Sequence, residues 1–311
     1  MMLINNSKGG YFATDKKLGK LSHLSIFSYR FERSEFVAFT TGNVFHMEFD
    51  KLKNDGSILY SDRNSLETLT GNSSEAVASG FVGVNGFTQI NESHVVVVDQ
   101  KQHCVIMVDR NINSQTVLAG TCGKSGFIDG ASSKFYSPYA VVEDKNNPGS
   151  VLISDQNNHA LRSLDLSSGY VRTIISSGFS YPKGLVWYND ILLVSNQHYI
   201  SEVLWNGNAA ASVKLTVQTD VGNKDGDFAI ARFNIPQEMI EIEDGLILLA
   251  DQGNQKLRLL DMDSRNVLPV CSSSSSGCVT GSSYKFPLSL LRNDKGSVYV
   301  GSPNRIIKLV G

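Results

Sequence analysis

VLISDQNNHALRSLD, residues 151–165, places two short apolar runs on either side of a polar turn. Short runs rich in Val, Ile and Leu, separated by Asp and Asn, favour two β-strands joined by a tight turn. Asp155 closes the first run, and its short carboxylate is suited to accepting hydrogen bonds from turn amides. The stretch therefore predicts a β-hairpin.

The same pattern recurs along the chain. Counted with the first stretch, six copies are spaced by about 40 to 60 residues, the period of a propeller blade. The close copies are residues 95–109 and 247–261, and the weaker copies are residues 36–50, 191–205 and 298–310. Further β-capable segments before and after each hairpin give four strands per repeat. We therefore predict an all-β fold: a six-bladed β-propeller with four-stranded antiparallel blades, in which residues 1–311 form a single domain.

Closure of the ring needs one more strand. The last repeat ends near Val310 after its third strand, and an unpaired strand edge invites aggregation. The N-terminal segment contains a β-capable run around residues 10–14. We therefore predict that a strand within residues 1–14 closes the ring.

Composition excludes several classes of protein. The 311 residues carry a formal net charge of −2, with 41% hydrophobic and 19% charged residues. This balance argues against long disorder and against a nucleic-acid-binding surface as the main feature. No apolar run approaches the ~18 residues that a membrane span needs, and residues 1–20 lack the apolar core of a signal peptide.

Two inter-repeat loops resemble the NHL-repeat family. Residues 126–138 read GFIDGASSKFYSP, and residues 222–236 read GNKDGDFAIARFNIP. Both match the family's glycine, Asp-Gly turn, Phe and following Pro. The resemblance implies a six-bladed propeller in which Phe135 and Phe233 pack between neighbouring blades. It implies little about activity, because propellers host many unrelated functions.

Three histidines are candidates for a metal site. His103, His159 and His198 fall at or near the turns between the second and third strands of three repeats, and such turns share one face of a propeller. Their spacing resembles that of an NHL-like lyase that holds zinc with three histidines. Here, however, the three histidines come from consecutive repeats, so they would not be spread evenly around the axis of the propeller. We therefore expect no cofactor and keep zinc as an alternative.

Calcium is a second metal to weigh. Asp129, Asp225 and Asp227 lie in inter-repeat loops near glycines. A calcium site needs several oxygen ligands that converge from different blades, and nothing in the sequence indicates that convergence. We interpret these residues as turn-forming.

The cysteines predict two disulfides. The absence of a CxxC pair argues against a zinc ribbon. Strand alternation brings Cys104 and Cys122 to the same face of one repeat, while Cys271 and Cys278 flank a serine tract. Two local pairs indicate an oxidising compartment, so we expect a secreted protein or the extracellular part of a larger one. The alternative is four free thiols in a cytoplasmic protein.

No signature of a hydrolase elbow, P-loop or zinc protease is present. We therefore predict a non-catalytic, monomeric binding module that recognises a protein or peptide ligand through one loop face. A metal-dependent lyase or hydrolase with zinc or calcium as its cofactor is the first alternative. An RNA-binding NHL propeller is the second, disfavoured because the arginines are scattered. The candidate ligand-binding residues are His103, His159, His198, Tyr199, Gln252 and Gln255.

Overall fold

The computed structural model describes residues 2–5, 11–14, 33–53, 55–70, 73–207, 211–215, 219–270, 285–293 and 296–310. These residues are almost entirely β-strands and turns. Their only helical pieces are two 3-10 turns, Gln156–Asn158 and Gln252–Asn254. In these ranges, therefore, no helix has the length and apolar character needed to cross a bilayer.

Three strands precede the first blade: β1 (Met2–Asn5), β2 (Tyr11–Thr14) and β3 (Arg33–Asn43). Blades one and two follow as β4 (His46–Phe49), β5 (Ile58–Ser61), β6 (Ser65–Thr70) and β7 (Ser73–Ser79), then β8 (Val84–Gln89), β9 (His94–Asp99), β10 (Cys104–Asp109) and β11 (Ser114–Ala119). Each blade is an antiparallel sheet whose strands neighbour one another in chain order.

Blades three to five continue the pattern. Blade three is β12 (Pro138–Glu143), β13 (Ser150–Asp155), β14 (Ala160–Asp165) and β15 (Val171–Ile175). Blade four is β16 (Leu185–Tyr188), β17 (Ile191–Ser195), β18 (Ile200–Leu204) and β19 (Ser212–Leu215). Blade five is β21 (Pro236–Glu243), β22 (Leu246–Asp251), β23 (Lys256–Asp261) and β24 (Asn266–Pro269), extended at its outer edge by the two-residue strand β20 (Gly226–Asp227).

The prediction of six four-stranded blades is wrong, because the structure has five. Besides the β1–β2 pair, the described residues form one further sheet, which has three strands in the order β25 (Ser289–Arg292), β26 (Val298–Val310) and β3. Residues 298–310, which the repeat pattern predicts to be a hairpin, are one continuous strand in this sheet. β26 pairs with β25 through its first residues and with β3 through the rest. We call this the closing sheet.

The position of the closing strand also differs from the prediction. β1 and β2, which lie within residues 1–14, pair with each other, and the partner of β26 is β3. The predicted hairpin at residues 36–50 is therefore wrong as well, since β3 and β4 belong to different sheets. The hairpin of blade one is β5–β6, whose turn contains Asp62 and Asn64.

The innermost strands surround a central channel. β4, β8, β12, β16, β21 and β25 contact one another in turn, and β25 contacts β4. The approach is close: a Cβ atom added to Gly86 in β8 would lie 2.8 Å from the carbonyl oxygen of Tyr139 in β12. Only glycine fits that position without displacing the neighbouring backbone.

Apolar layers between blades form the core. Phe135 is fully buried in the layer that joins Val96 of blade two to Ile153 of blade three. Phe233 is equally buried among residues of blades four and five. The predicted inter-blade packing of both phenylalanines is confirmed. The strands buried on both sides, such as β9, β13 and β22, read as nearly continuous apolar runs for the same reason.

One predicted disulfide is confirmed. Cys104, the first residue of β10, is bonded to Cys122 in the loop that follows β11, and their Cα atoms are 5.1 Å apart. The bond therefore fixes the outer loop of blade two to the start of its third strand. Cys271 and Cys278 lie outside the described residues, so their pairing stays a prediction.

Candidate functional site

One face of the disc carries the turns between the second and third strands of the blades, together with the lead-in segments before the innermost strands. We call it the turn face. In blades three and five, the Asp at the end of the second strand holds the lead-in segment: Asp155 accepts a hydrogen bond of 2.8 Å from the backbone N–H of Tyr136, and Asp251 accepts one of 2.9 Å from that of Asn234. The turns and lead-in segments are thereby fixed to each other.

The histidines of the turn face contact the neighbouring blade. His103 and His159 have φ angles of +58° and +53°. Their Nδ1 atoms accept hydrogen bonds of 3.0 Å and 3.1 Å from the backbone N–H groups of Ser137 and Tyr181, in the lead-in segments of the next blades. Both rings therefore have a clear role in joining successive blades.

His198 lies in the turn of blade four, where burial and the nearby charge of Lys183 lower its pKa. In the part of the chain that the structure describes, no group of three or more His, Cys, Asp or Glu side chains is arranged to hold a metal ion. The structure therefore does not bring His103, His159 and His198 together as zinc ligands.

The acidic loop residues have structural roles, as partners of buried arginines or in a turn. Arg162 is fully buried, with Nη1 2.7 Å from Oδ2 of Asp155 and Nη2 2.6 Å from Oδ1 of Asp129. Arg258 repeats this arrangement in blade five with Asp251 and Asp225. Asp227 accepts a hydrogen bond from the backbone N–H of Ala229 and stabilises a turn. The sequence signal for the buried arginines is the Leu-Arg pair near the start of the strand that follows two of the repeated hairpin turns.

A cavity of about 240 Å³ opens where the central channel reaches the turn face. We call it the mouth. Its lining combines five carboxamides, two cations and two aromatic rings, drawn from several sheets. The lining residues are Asn43, Phe45, Arg63, Gly83, Asn85, Gln100, Lys101, Tyr139, Gln237, Gln252 and Leu288.

Of the six predicted ligand-binding residues, Gln252 lines the mouth. Gln255 has a φ of +54° and occupies the turn position that His159 has in blade three. Tyr199 is only 8% exposed, and its hydroxyl donates a hydrogen bond of 3.2 Å to the Gly178 carbonyl. A ligand-binding role for these residues stays a prediction.

Hydrogen bonds between side chains order the mouth. The Tyr139 hydroxyl donates to Oε1 of Gln237 at 2.5 Å, and Nε2 of Gln237 donates to Oε1 of Gln252 at 2.8 Å. Nε2 of Gln100 donates to Oε1 of Gln156 at 2.8 Å. A carboxamide has both donors and an acceptor, so the lining of the mouth can both donate and accept hydrogen bonds.

A charged cluster lies deeper in the channel. Nδ1 of His46 contacts Oε1 of Glu238, and Nε2 is 3.5 Å from Oε1 of Glu48. Burial opposes protonation of His46, but the two carboxylates outweigh it and raise the His46 pKa to about 10. Glu48 also accepts a hydrogen bond of 2.9 Å from Nε2 of Gln89, and its pKa is lowered despite burial. The channel is therefore occupied by paired charges.

No local signal pointed to these channel residues. His46 and Glu48 fall in the stretch that the repeat pattern read as a hairpin. Phe45, Arg63 and Tyr139 have no common counterpart in the repeated motif. Such residues converge only through the ring, which sequence spacing does not report.

No protein-family model and no curated protein matches the chain. Among solved structures, it is similar to an auxiliary nutrient binding protein from Bacteroides ovatus, with a TM-score of 0.70 and 14% identity over 86% of this chain and 69% of that chain. It is also similar to a gluconolactonase from Xanthomonas campestris, with a TM-score of 0.60 and 10% identity over 91% and 87% of the two chains. A chain of a nidogen–laminin complex gives a TM-score of 0.55 and 13% identity over 78% and 84%.

These likenesses show the β-propeller fold alone, because the identities are low. With no family model matching, the relation to NHL repeats stays a resemblance.

Proposed function

We propose that the chain is a non-catalytic binding module that recognises a protein or peptide ligand through its turn face, with the mouth at the centre of the contact. The mouth is the observation that carries the proposal. It is a concave cavity whose polar side chains are held by hydrogen bonds on a rigid scaffold, and a cleft with a few fixed polar groups among apolar ones is the usual form of a binding site.

Exposed apolar side chains support a protein or peptide ligand. Val82, Tyr136, Tyr181 and Phe286 are between 41% and 44% exposed, and all lie in lead-in segments of the turn face. Large rigid side chains of this kind, above all tyrosines, are enriched where proteins contact one another. Together they add apolar contact area to the turn face.

The Cys104–Cys122 disulfide supports a place outside the cytoplasm. Disulfides persist in oxidising compartments and are rare where thiols are kept reduced. We therefore place the module in a secreted protein or in the extracellular part of a larger one.

Peptide selection tests this proposal. A random displayed peptide library is selected on the immobilised protein, and the dissociation constants of the enriched peptides are measured for two variants. We expect Gln252→Ala in the mouth to weaken binding at least about tenfold. The matched control is Gln115→Ala, which removes an exposed carboxamide on the outermost strand of blade two and should leave binding unchanged. Failure to enrich any peptide, or equal binding by all variants, would overturn the proposal.

Two further measurements address the alternatives. One tightly held zinc or calcium ion per purified chain, lost in the His103→Ala/His159→Ala double variant, would favour a metal-dependent enzyme instead. Tight binding to a single-stranded RNA with a steep salt dependence would favour a nucleic-acid ligand.

A further inference from the structure

The described side chains that line the mouth include positive charges and no negative ones. Arg63 of blade one and Lys101 of blade two line it, and no Asp or Glu is among its described lining residues. Lys183 adds a third cation, with its amine 5.8 Å from the centre of the Tyr139 ring. A chain with 28 basic and 30 acidic residues has no general excess of positive charge to explain this concentration.

The buried arginines of the fold contrast with these three cations. Arg110 forms two hydrogen bonds, of 2.7 Å and 2.8 Å, with the carboxylate of Asp50, and the buried Arg162 and Arg258 each contact two carboxylates. Within the described ranges, no carboxylate lies within 4.0 Å of Arg63, Lys101 or Lys183. The mouth therefore has positive charge that the described fold does not neutralise.

Lys183 shows that an unpaired cation is disfavoured at this position. Burial lowers the pKa of its amine to about 8, since a charged amine loses hydration there without gaining a counterion. An anion arriving at the mouth would supply the missing counterion.

The cations also suit a particular anion. Arg63 lies with its guanidinium 5.8 Å from the centre of the Phe45 ring, and an arginine offers a planar pair of donors that matches a carboxylate. The carboxamides of Asn85 and Gln100 add neutral donors on the same rim. The paired His46, Glu48 and Glu238 below carry a net negative charge, which keeps a bound carboxylate at the outer, cationic side of the mouth.

We propose that the mouth binds a carboxylate of the peptide ligand, with Arg63 and Lys101 as its direct partners and Lys183 as a supporting charge. This inference rests on the proposed function and specifies the chemical group of the ligand that the mouth recognises. The carboxylate has two sources, the C-terminus of a peptide or the side chain of an Asp or Glu.

Matched peptides test the inference and separate the sources. One arm compares N-acetylated pentapeptides that have a free C-terminus with the same peptides amidated. The other compares amidated pentapeptides that carry a central Glu with their Gln counterparts. We expect the acidic member of at least one pair to bind about tenfold more tightly. The pair that shows the preference identifies the source.

Variants locate the effect. Arg63→Gln/Lys101→Gln should abolish the preference for the acidic peptide, and Lys183→Met should reduce it. Lys214→Gln is the matched control, because Lys214 is an exposed cation on the outermost strand of blade four. Equal affinity for acidic and neutral peptides would overturn the inference, as would a preference that survives in the Arg63/Lys101 double variant.

A fragment probe distinguishes failure of this inference from failure of the proposed function. N-acetylglycine and N-acetylglycinamide are titrated into the protein and followed by NMR. If neutral and acidic peptides bind equally at the mouth, the carboxylate site is refuted and the peptide-binding function stands. If no peptide binds but N-acetylglycine shifts mouth resonances and its amide does not, the carboxylate site stands without the peptide-binding function. If neither binds, both are refuted.

Discussion

Nδ1 of His103 accepts a hydrogen bond of 3.0 Å from the backbone N–H of Ser137, and this contact joins blade two to the segment that leads into blade three. His159 makes the same contact with Tyr181 one blade further on. Ser137 and Tyr181 each precede a proline and have φ angles of +54° and +49°, which non-glycine residues rarely adopt. The histidine side chain therefore holds a strained lead-in segment in place.

Replacing His103 tests this role. His103→Ala leaves the Ser137 N–H without its acceptor, and we expect the free energy of unfolding to fall by about 1 kcal/mol. His103→Asn should recover part of the loss, because an amide oxygen can accept the same hydrogen bond. Chemical denaturation measures both variants. Equal losses in the Ala and Asn variants would contradict the assignment.

The buried arginine of blade three is expected to matter more. Arg162→Met leaves the buried carboxylate of Asp155 without its cation, and removing one partner of a buried pair costs about 3–5 kcal/mol. Asp129→Asn is the matched control. The Asp129 side chain is 46% exposed, so its loss should cost less than about 1 kcal/mol. Comparable losses for the two variants, again by chemical denaturation, would refute this ranking.

Reduction of the Cys104–Cys122 disulfide should destabilise the protein. The bond closes a loop with a sequence separation of 18 residues, and cross-links of that size contribute about 3 kcal/mol. Thermal unfolding with and without a thiol reductant measures the effect. A melting temperature that is indifferent to the reductant would count against it.

The Cys104→Ser/Cys122→Ser variant then tests the second pair. We expect no free thiol when this variant is denatured without reduction, since Cys271 and Cys278 are predicted to be bonded. Two titratable thiols per chain would refute that pairing.

The raised pKa of His46 predicts that the free energy of unfolding depends on pH. Its pKa is about 10 in the folded protein, against 6.5 for an unperturbed histidine, so between these pH values the folded state binds more protons than the unfolded state. The contribution of His46 to stability is therefore fully present below about pH 6.5 and is lost as the pH rises towards 10, at up to about 1.4 kcal/mol per pH unit.

Comparison with His46→Gln isolates this contribution. Lys183 has the opposite effect above pH 8, because its folded pKa is lowered, but it is present in both proteins and cancels in the difference. We expect the stability advantage of the unmodified protein to shrink steadily from pH 6.5 to 10. Parallel pH profiles would show that His46 stays neutral.

Truncation tests the closing sheet. Removing residues 1–43 deletes β3, and we expect the melting temperature to fall by about 10 °C because β26 loses its partner along most of its length. Removing residues 1–14 deletes only β1 and β2, which pair with each other, and should have a much smaller effect. Equal effects of the two deletions would contradict the assignment of β3.

The sequence predicts the hairpins well because their signals are local. At residues 95–109, 151–165 and 247–261, two apolar runs, a terminal Asp and a polar turn all fall within fifteen residues, and the structure has strands at each. The closing sheet carries no such signal. Its pairing joins opposite ends of the sequence, so residues 36–50 resembled one more hairpin although they belong to two sheets.

The residues of the candidate site also differ in how well the sequence predicts them. The turn histidines stand out because they repeat, and the structure shows that repetition there reflects how blades are joined. The mouth is built from residues that differ from blade to blade, such as Arg63, Lys101 and Tyr139. Among its described lining residues, Gln100 and Gln252 directly follow the Asp of the repeated hairpin, so the motif could point to these two.

The pairing of β3 with β26 has a consequence for biosynthesis. The ribosome releases β3 before any blade and β26 after all five, so β3 waits with an open edge while the rest of the protein is made. Contacts between such distant segments form slowly, and exposed strand edges in the waiting chain are prone to misassembly. We therefore expect completion of the ring to be the last folding event, and the nascent chain to be most prone to misassembly until β26 has emerged.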